Sequence, residues 1–144
     1  MTRVETKIQF DRVIGSKEQI RILYDLLIRR THSISHQILP TYKSHKEFVL
    51  SHPYLAWFII RSYSEIVGSF YLKHDNSVGL NLIDQDSLYV FEVMHFIKSN
   101  FDPQPAIPST VPPYFYINVA FSNIELKKIL KKHKLMPLQT SFML

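Results

Sequence analysis

The sequence predicts an α/β fold (α+β in the stricter division): a mixed central sheet of about six strands with helices on both faces. Three observations predict it. Strand-like and helix-like periods succeed one another along the 144 residues in the order β, α, α, three β, α, β, α, β. The three central strands are joined by short polar turns, which favours antiparallel pairing. The later strands are separated by helices, which favours parallel pairing there. No internal repeat and no linker interrupts this order, so residues 1–144 are expected to form a single domain.

Residues 7–14 alternate loosely through Ile8, Phe10, Arg12 and Ile14 and read as a first strand, broken by Gly15. Ser16 and Gln19 form a capping-box pattern. Ile20, Leu23 and Leu27 follow at helical spacing, so a helix runs to about Arg30. Residues 32–40 read as a loop. Thr41 caps a second helix in which His45, Phe48, Val49 and His52 share one face, and Pro53 stops it. Strands follow over 54–61, 66–73 and 78–83, with turns at 62–65 and at His74, Asp75, Asn76 and Ser77.

Asp84, Asp86 or Ser87 caps the third helix. Its expected buried stripe is Val90, Met94, Ile97 and Phe101, widened by Leu88 and Phe91. Residues 102–113 carry five prolines and read as a stiff surface loop. Residues 114–120 are rich in aromatic and β-branched side chains and read as a strand. Ser122 with Glu125 makes a second capping box, with Asn123 as the alternative cap. Leu126, Ile129, Leu130 and His133 make the inner face of the last helix, and residues 138–144 close the chain as a strand.

Composition narrows the chemistry. With 46% hydrophobic and 20% charged residues the chain supports a real core, so disorder is not expected. There is no cysteine, which removes disulfides, thiolate metal sites and a cysteine nucleophile. Residues 1–10 hold no apolar core of signal-peptide length, and no apolar run approaches the roughly 20 residues that span a bilayer. A cytoplasmic protein without membrane contact is therefore expected. The net charge of +5 is concentrated in Lys127, Lys128, Lys131, Lys132 and Lys134. Such a cluster suits nucleic acid, the phosphates of a nucleotide cofactor, or a solvated helix face. No stacking aromatics are interleaved with the lysines, so nucleic acid is not expected.

Two segments carry a resemblance that extends over nearly the whole chain. One is Ile117-Asn118-Val119-Ala120-Phe121-Ser122-Asn123 ahead of a helix and a final strand. The other is Gly68-Ser69-Phe70-Tyr71-Leu72 followed by Val78-Gly79-Leu80-Asn81-Leu82-Ile83. Together with the element order they resemble the GNAT N-acetyltransferases. The resemblance implies acetyl transfer from acetyl coenzyme A (acetyl-CoA) to an amine of a small molecule, an amino sugar among the candidates, without a metal. It implies that the fourth strand splays from the fifth and that the pantetheine arm pairs with Leu80, Asn81, Leu82 and Ile83. The pyrophosphate would meet the start of the next helix at Gln85, Asp86 and Ser87, where free amides and the helix dipole favour anions. Asn118 and Asn123 would line the far side of the cofactor.

The sequence departs from that pattern at several points. Leu88 and Val90 stand where the family's Arg/Gln-x-x-Gly-x-Gly/Ala loop has its small residues. Asp84 and Asp86 bring negative charge toward a pyrophosphate. Leu130 stands where many members carry a tyrosine acid, and Lys134 where a glycine precedes the last strand. These departures leave a second reading: a GNAT-like binding or assembly module without catalysis.

Amine attack on a thioester needs a neutral amine, hence a base or a water chain. His74 and Glu65 read as turn residues. Tyr71, Glu47, His36 and His45 are better placed for catalysis if the second helix and its loop cover the acceptor. Tyr116 is the candidate for the acid that Leu130 is not, and Trp57 and His36 are the candidates for acceptor contact. His32 and His36 have a metal-binding spacing but lack the glutamate of zinc-protease helices, so no metal is expected. No nucleophile-elbow pattern surrounds the serines. The expected partners are the small amine and, compatibly with the chain, a second copy of it.

Overall fold

The computed structural model describes residues 8–30 and 38–144. The elements in chain order are β1 (Ile8–Arg12), α1 (Lys17–Arg29), α2 (Tyr42–Leu50), β2 (Ala56–Ser62), β3 (Glu65–Leu72), β4 (Ser77–Leu82), α3 (Ser87–Asn100), β5 (Tyr116–Asn118) and α4 (Ile124–Lys132). The strands form one sheet in the order β1-β2-β3-β4-β5. All neighbours are antiparallel except β4 and β5, which run parallel. This is the mixed pattern that the connections demand: tight turns inside the meander, a helical crossover before β5.

Local chemistry sets the element boundaries. Ser16 and Gln19 cap α1 reciprocally, with Gln19 N–H donating to Ser16 Oγ at 3.2 Å and Ser16 N–H to Gln19 Oε1 at 3.4 Å. Thr41 caps α2 by accepting from Ser44 N–H. At α4 the cap is Asn123, whose Oδ1 accepts from Leu126 N–H at 3.2 Å. The β2–β3 turn has both central residues, Tyr63 and Ser64, at positive φ, as a two-residue hairpin requires.

Alternation in β2 and β3 divides the core between the two sheet faces. Phe58, Ile60, Phe70 and Leu72 pack against Val90, Val93 and Ile97 of α3 and Leu126 of α4. Trp57 and Ile59 pack on the opposite face with Ile20, Leu23 and Leu26 of α1 and Val49 of α2.

Three expectations are corrected. Residues 138–144 form no strand and are exposed throughout, so the sheet has five strands, not six. β5 spans three residues rather than 114–120, because Pro112 and Pro113 precede it without donors and its ladder to β4 ends at Asn118. The inner stripe of α3 uses Val93 and the partly buried Phe96, whereas Leu88 and Phe91 face outward. The Pro-rich loop is stapled to the β3–β4 turn: Asn76 is fully buried and accepts from Gln104 N–H, while its amide donates to Gln104 O and Pro112 O.

Candidate functional site

The site begins with one row of side chains across the sheet. Trp57 on β2 pairs with Tyr71 on β3, Tyr71 with Gly79 on β4, and Gly79 with Asn118 on β5. Cross-strand partners project on the same face, here the face covered by α1 and α2. Gly79 is a glycine because Tyr71 needs its space: a Cβ there would fall on the phenol end of the Tyr71 ring. A glycine inside a strand marks such close approaches.

The row also marks where the sheet opens. Ser77, Val78 and Gly79 pair with Tyr116, Ile117 and Asn118, and the ladder stops there. Leu80, Asn81 and Leu82 continue β4 and remain paired with Phe70, Ser69 and Gly68 of β3 on their other side. Their β5-facing backbone groups have no ladder partner, a state that calls for a ligand or water. The two strands thus form a wedge with its apex at Gly79 and Asn118.

Behind the apex lies an aromatic cluster. Tyr54 stacks on Tyr71 with ring centroids 4.0 Å apart and planes 2° from parallel. Trp57 meets Tyr54 edge-on at 5.1 Å, and Phe48 and His52 close around both. Tyr54 and Tyr71 share a hydroxyl hydrogen bond. Burial raises the pKa of Tyr71 above the ordinary phenol value, with the Arg30 charge opposing it. Burial likewise raises Tyr54. Both phenols therefore carry their protons at neutral pH. The Trp57 indole Nε1 is buried without a partner among the described residues.

At the mouth of the wedge stands the start of α3. Asp86 caps it by accepting from Leu88 N–H at 2.8 Å. Ser87 Oγ lies 2.9 Å from His133 Nε2, at the end of α4. Gln85 donates to Leu82 O, while its Oε1 is buried without a partner among the described residues. Among the described residues no group of three or more His, Asp or Glu side chains is placed to hold a metal ion.

No protein-family model and no curated protein matches this sequence. Solved structures do match its shape. The aminoglycoside N-acetyltransferase AAC(6')-Iy in complex with CoA superposes with a TM-score of 0.59 at 11% identity, covering 100% of this chain and 97% of the other. A possible acetyltransferase from Clostridium difficile 630 superposes with a TM-score of 0.55 at 9% identity, covering 94% and 95%. The fold is that of the GNAT acetyltransferases.

Within the GNAT frame, the residues singled out from sequence separate into two groups. Tyr71, Trp57, Asn118, Leu80, Asn81 and Leu82 come together at the wedge, and Ile83, Gln85, Asp86 and Ser87 follow it directly into α3. The others serve elsewhere. His45 is buried between α1 and α2, with Nε2 2.9 Å from Ile20 O, and burial lowers its pKa. It joins two helices. Glu47 is exposed on α2, two residues from each of that helix's buried positions, His45 and Val49. Tyr116 sits at the paired end of β5, where burial and then the neighbouring Asp75 carboxylate raise its pKa. The Asn123 side chain is consumed as the α4 cap. His36 and His32 lie outside the described residues.

Three residues beside the wedge were given no site role by the sequence reading: Tyr54, Gly79, which entered only within the strand motif 78–83, and His133, which was only a face of the last helix. For Gly79 a signal existed: a glycine inside an otherwise continuous strand.

Proposed function

We propose that this chain transfers an acetyl group from acetyl-CoA to the amine of a small molecule, with amino sugars the first class to test. The observation that carries the reading is the parting of β4 from β5 beyond Gly79 and Asn118. It leaves backbone donors and acceptors of Leu80, Asn81 and Leu82 without ladder partners beside a half-buried, protonated tyrosine.

The residues at the wedge fit a thioester arm. A pantetheine carries amides, and unpaired strand groups recognise amides by the same hydrogen bonds that build a sheet. Leu80 to Ile83 would hold that arm. At the pyrophosphate end Gln85 and Ser87 are the contacts, with the His133 ring beside Ser87. The aspartates at this helix start weaken the anion site relative to a glycine loop. Acetyl-CoA supplies the activated carbonyl.

The chain's own residues supply the rest. Tyr71 holds a proton at its hydroxyl, beside Gly79, and is suited to donate it to a departing thiolate. Tyr54 fixes the Tyr71 ring by stacking and orients its hydroxyl. Trp57, with Tyr54 and Phe48, gives an apolar wall that keeps water from the reacting atoms and offers an aromatic face to an acceptor. Asn118 stands across the apex as a polar contact.

A second reading, a GNAT-shaped binding module without catalysis, draws on one observation: Asp86 already occupies the Leu88 amide that an incoming phosphate would use. One assay separates the two. Thermal unfolding is followed with CoA and acetyl-CoA, and CoA release from a panel of amines is followed with a thiol reagent. The chain has no cysteine, so the protein adds no thiol background. A ligand at a hundred times its Kd stabilises by about 2.7 kcal/mol, several degrees for a domain of this size. A thermal shift with no thiol release from any amine favours the module. Absence of any shift at millimolar ligand removes the acetyl-transfer reading and leaves the module.

A further inference from the structure

The excess charge of this chain has a single address. Lys127, Lys128, Lys131, Lys132 and Lys134 lie within residues 127–134, and the remaining Lys and Arg, 17 less these five, equal the 12 Asp and Glu residues. The whole net charge of +5 therefore stands on α4 and the residues just after it. The helix docks through Leu126, buried in the core, with Ile129 and Leu130 packed against the same cluster. Ile124, Lys128 and Lys131 recur at i, i+4 and i+7 and share the opposite face, with Lys127 and Lys132 at its edges. Glu125 is the single acid of the helix and sits at the flank.

This face is not purely polar. Ile124, in the middle of the lysines, is 59% exposed, and Phe121, in the turn that feeds the helix, is 85% exposed. Lys127 sits against that ring: its Nζ lies 4.4 Å from the Phe121 ring centroid and donates to Phe121 O at 2.7 Å. Large apolar side chains rimmed by charge mark a surface that meets something.

The type of cation narrows what that is. All five are lysines and none is an arginine. Protein interfaces favour arginine and are poor in lysine, and paired recognition of phosphate also favours the arginine fork. A bilayer surface with anionic headgroups needs only point charges, together with apolar side chains that enter the headgroup layer. We propose that the outer face of α4 docks on an anionic lipid surface, with Phe121 and Ile124 entering the headgroups and the lysines meeting their charge. The contact is peripheral, since among the described residues no helix is long and apolar enough to cross a membrane. The sequence expectation of no membrane contact concerned spans and leaders, and a docking face is neither. The inference does not rest on the acetyl-transfer reading.

Flotation of the full chain with vesicles tests it, without any acetyl donor present. The chain is expected to float with vesicles of equal parts phosphatidylserine and phosphatidylcholine, to stay behind with phosphatidylcholine alone, and to be released by salt. Lys128→Gln with Lys131→Gln should weaken binding about fivefold for each charge removed. Phe121→Ser with Ile124→Ser keeps every charge and should still weaken binding about tenfold or more. Circular dichroism checks that both variants fold, and the exposed Lys131→Gln alone serves if a double variant does not. Four results would overturn the proposal: no binding to the anionic vesicles, equal binding to neutral ones, binding that survives the serine pair in a folded chain, or release by millimolar CoA, which would give the lysines to the cofactor's phosphates. Retention on heparin by a chain that ignores anionic vesicles would likewise replace the lipid with a soluble polyanion.

Discussion

The two halves of β4 are three residues each and differ in almost every respect. Ser77, Val78 and Gly79 are flanked on both sides, by β3 for Val78 and Gly79 and by β5 for all three. They are buried, and the turn that feeds them is tied down through Asn76 to the Pro-rich loop. Leu80, Asn81 and Leu82 are flanked by β3 alone. The first half is scaffold, and the second is an unfinished ladder. A strand can hold its neighbours rigidly at one end and offer its backbone to a ligand at the other, with a single glycine at the change of role.

The largest expected effect lies in the scaffold half. Asn76→Ala removes three hydrogen bonds at a fully buried, positive-φ position. At about 1 kcal/mol each, the loss is roughly 3 kcal/mol, read as a lower urea midpoint. If stability is unchanged, the turn is not what anchors the paired half.

Next comes the apex. Tyr71→Phe keeps the ring in its seat on Gly79 and deletes the proton. If Tyr71 is the acid, acetyl transfer falls by about 100-fold or more, while CoA affinity stays within about twofold, because the loss is confined to the transition state. An unchanged rate would move the proton source elsewhere. Burial raises the folded pKa of Tyr71, so its proton is held from neutral pH up past the free-phenol value of 10.0. The rate should therefore show no alkaline decline assignable to Tyr71 below that value.

Smaller effects are expected at the mouth of the wedge. Asp86→Ala costs about 1 kcal/mol as a lost helix cap, yet CoA should bind more tightly, because a carboxylate leaves the phosphate site and the Leu88 amide is freed. Calorimetric titration reads both signs, and weaker CoA binding would place the pyrophosphate elsewhere.

The smallest effect is pH dependence on the α1–α2 side of the sheet. Burial lowers the pKa of His45 and His52, with Arg12 adding to the shift at His52. The unfolded chain then takes up protons at a higher pH than the folded one. Stability from these residues is complete above the free-histidine value of 6.5 and declines as pH falls through the lower folded values. Thermal midpoints measured from pH 7 to pH 5 should fall, and fall less in His45→Asn with His52→Asn.

Much of this architecture was legible in the sequence because short-range chemistry decided it. Ser16 with Gln19, Thr41 and Asn123 cap helices that begin where those residues predict, and Trp57 with Ile59 alternate against Phe58 with Ile60 as a two-faced strand must. What was not legible depended on partners distant in sequence. Residues 138–144 have a strand's pattern, but whether a strand forms rests on an edge to receive it. His45 on an amphipathic helix reads equally as a base or a core residue, and the choice is made by Ile20 O, 25 positions away. Glu47 and Tyr116 were plausible by type, and their neighbours give them other surroundings. The wedge itself was expected only through the resemblance to the GNAT fold, since no residue pattern announces that two strands part.

Hydrogen–deuterium exchange across β4, with and without CoA, measures the difference between its halves directly. CoA should slow exchange in Leu80, Asn81, Leu82 and Ile83 and leave Ser77, Val78 and Gly79 as slow as before. Protection that bypasses Leu80 to Ile83, or equal protection of both halves without ligand, would contradict the account.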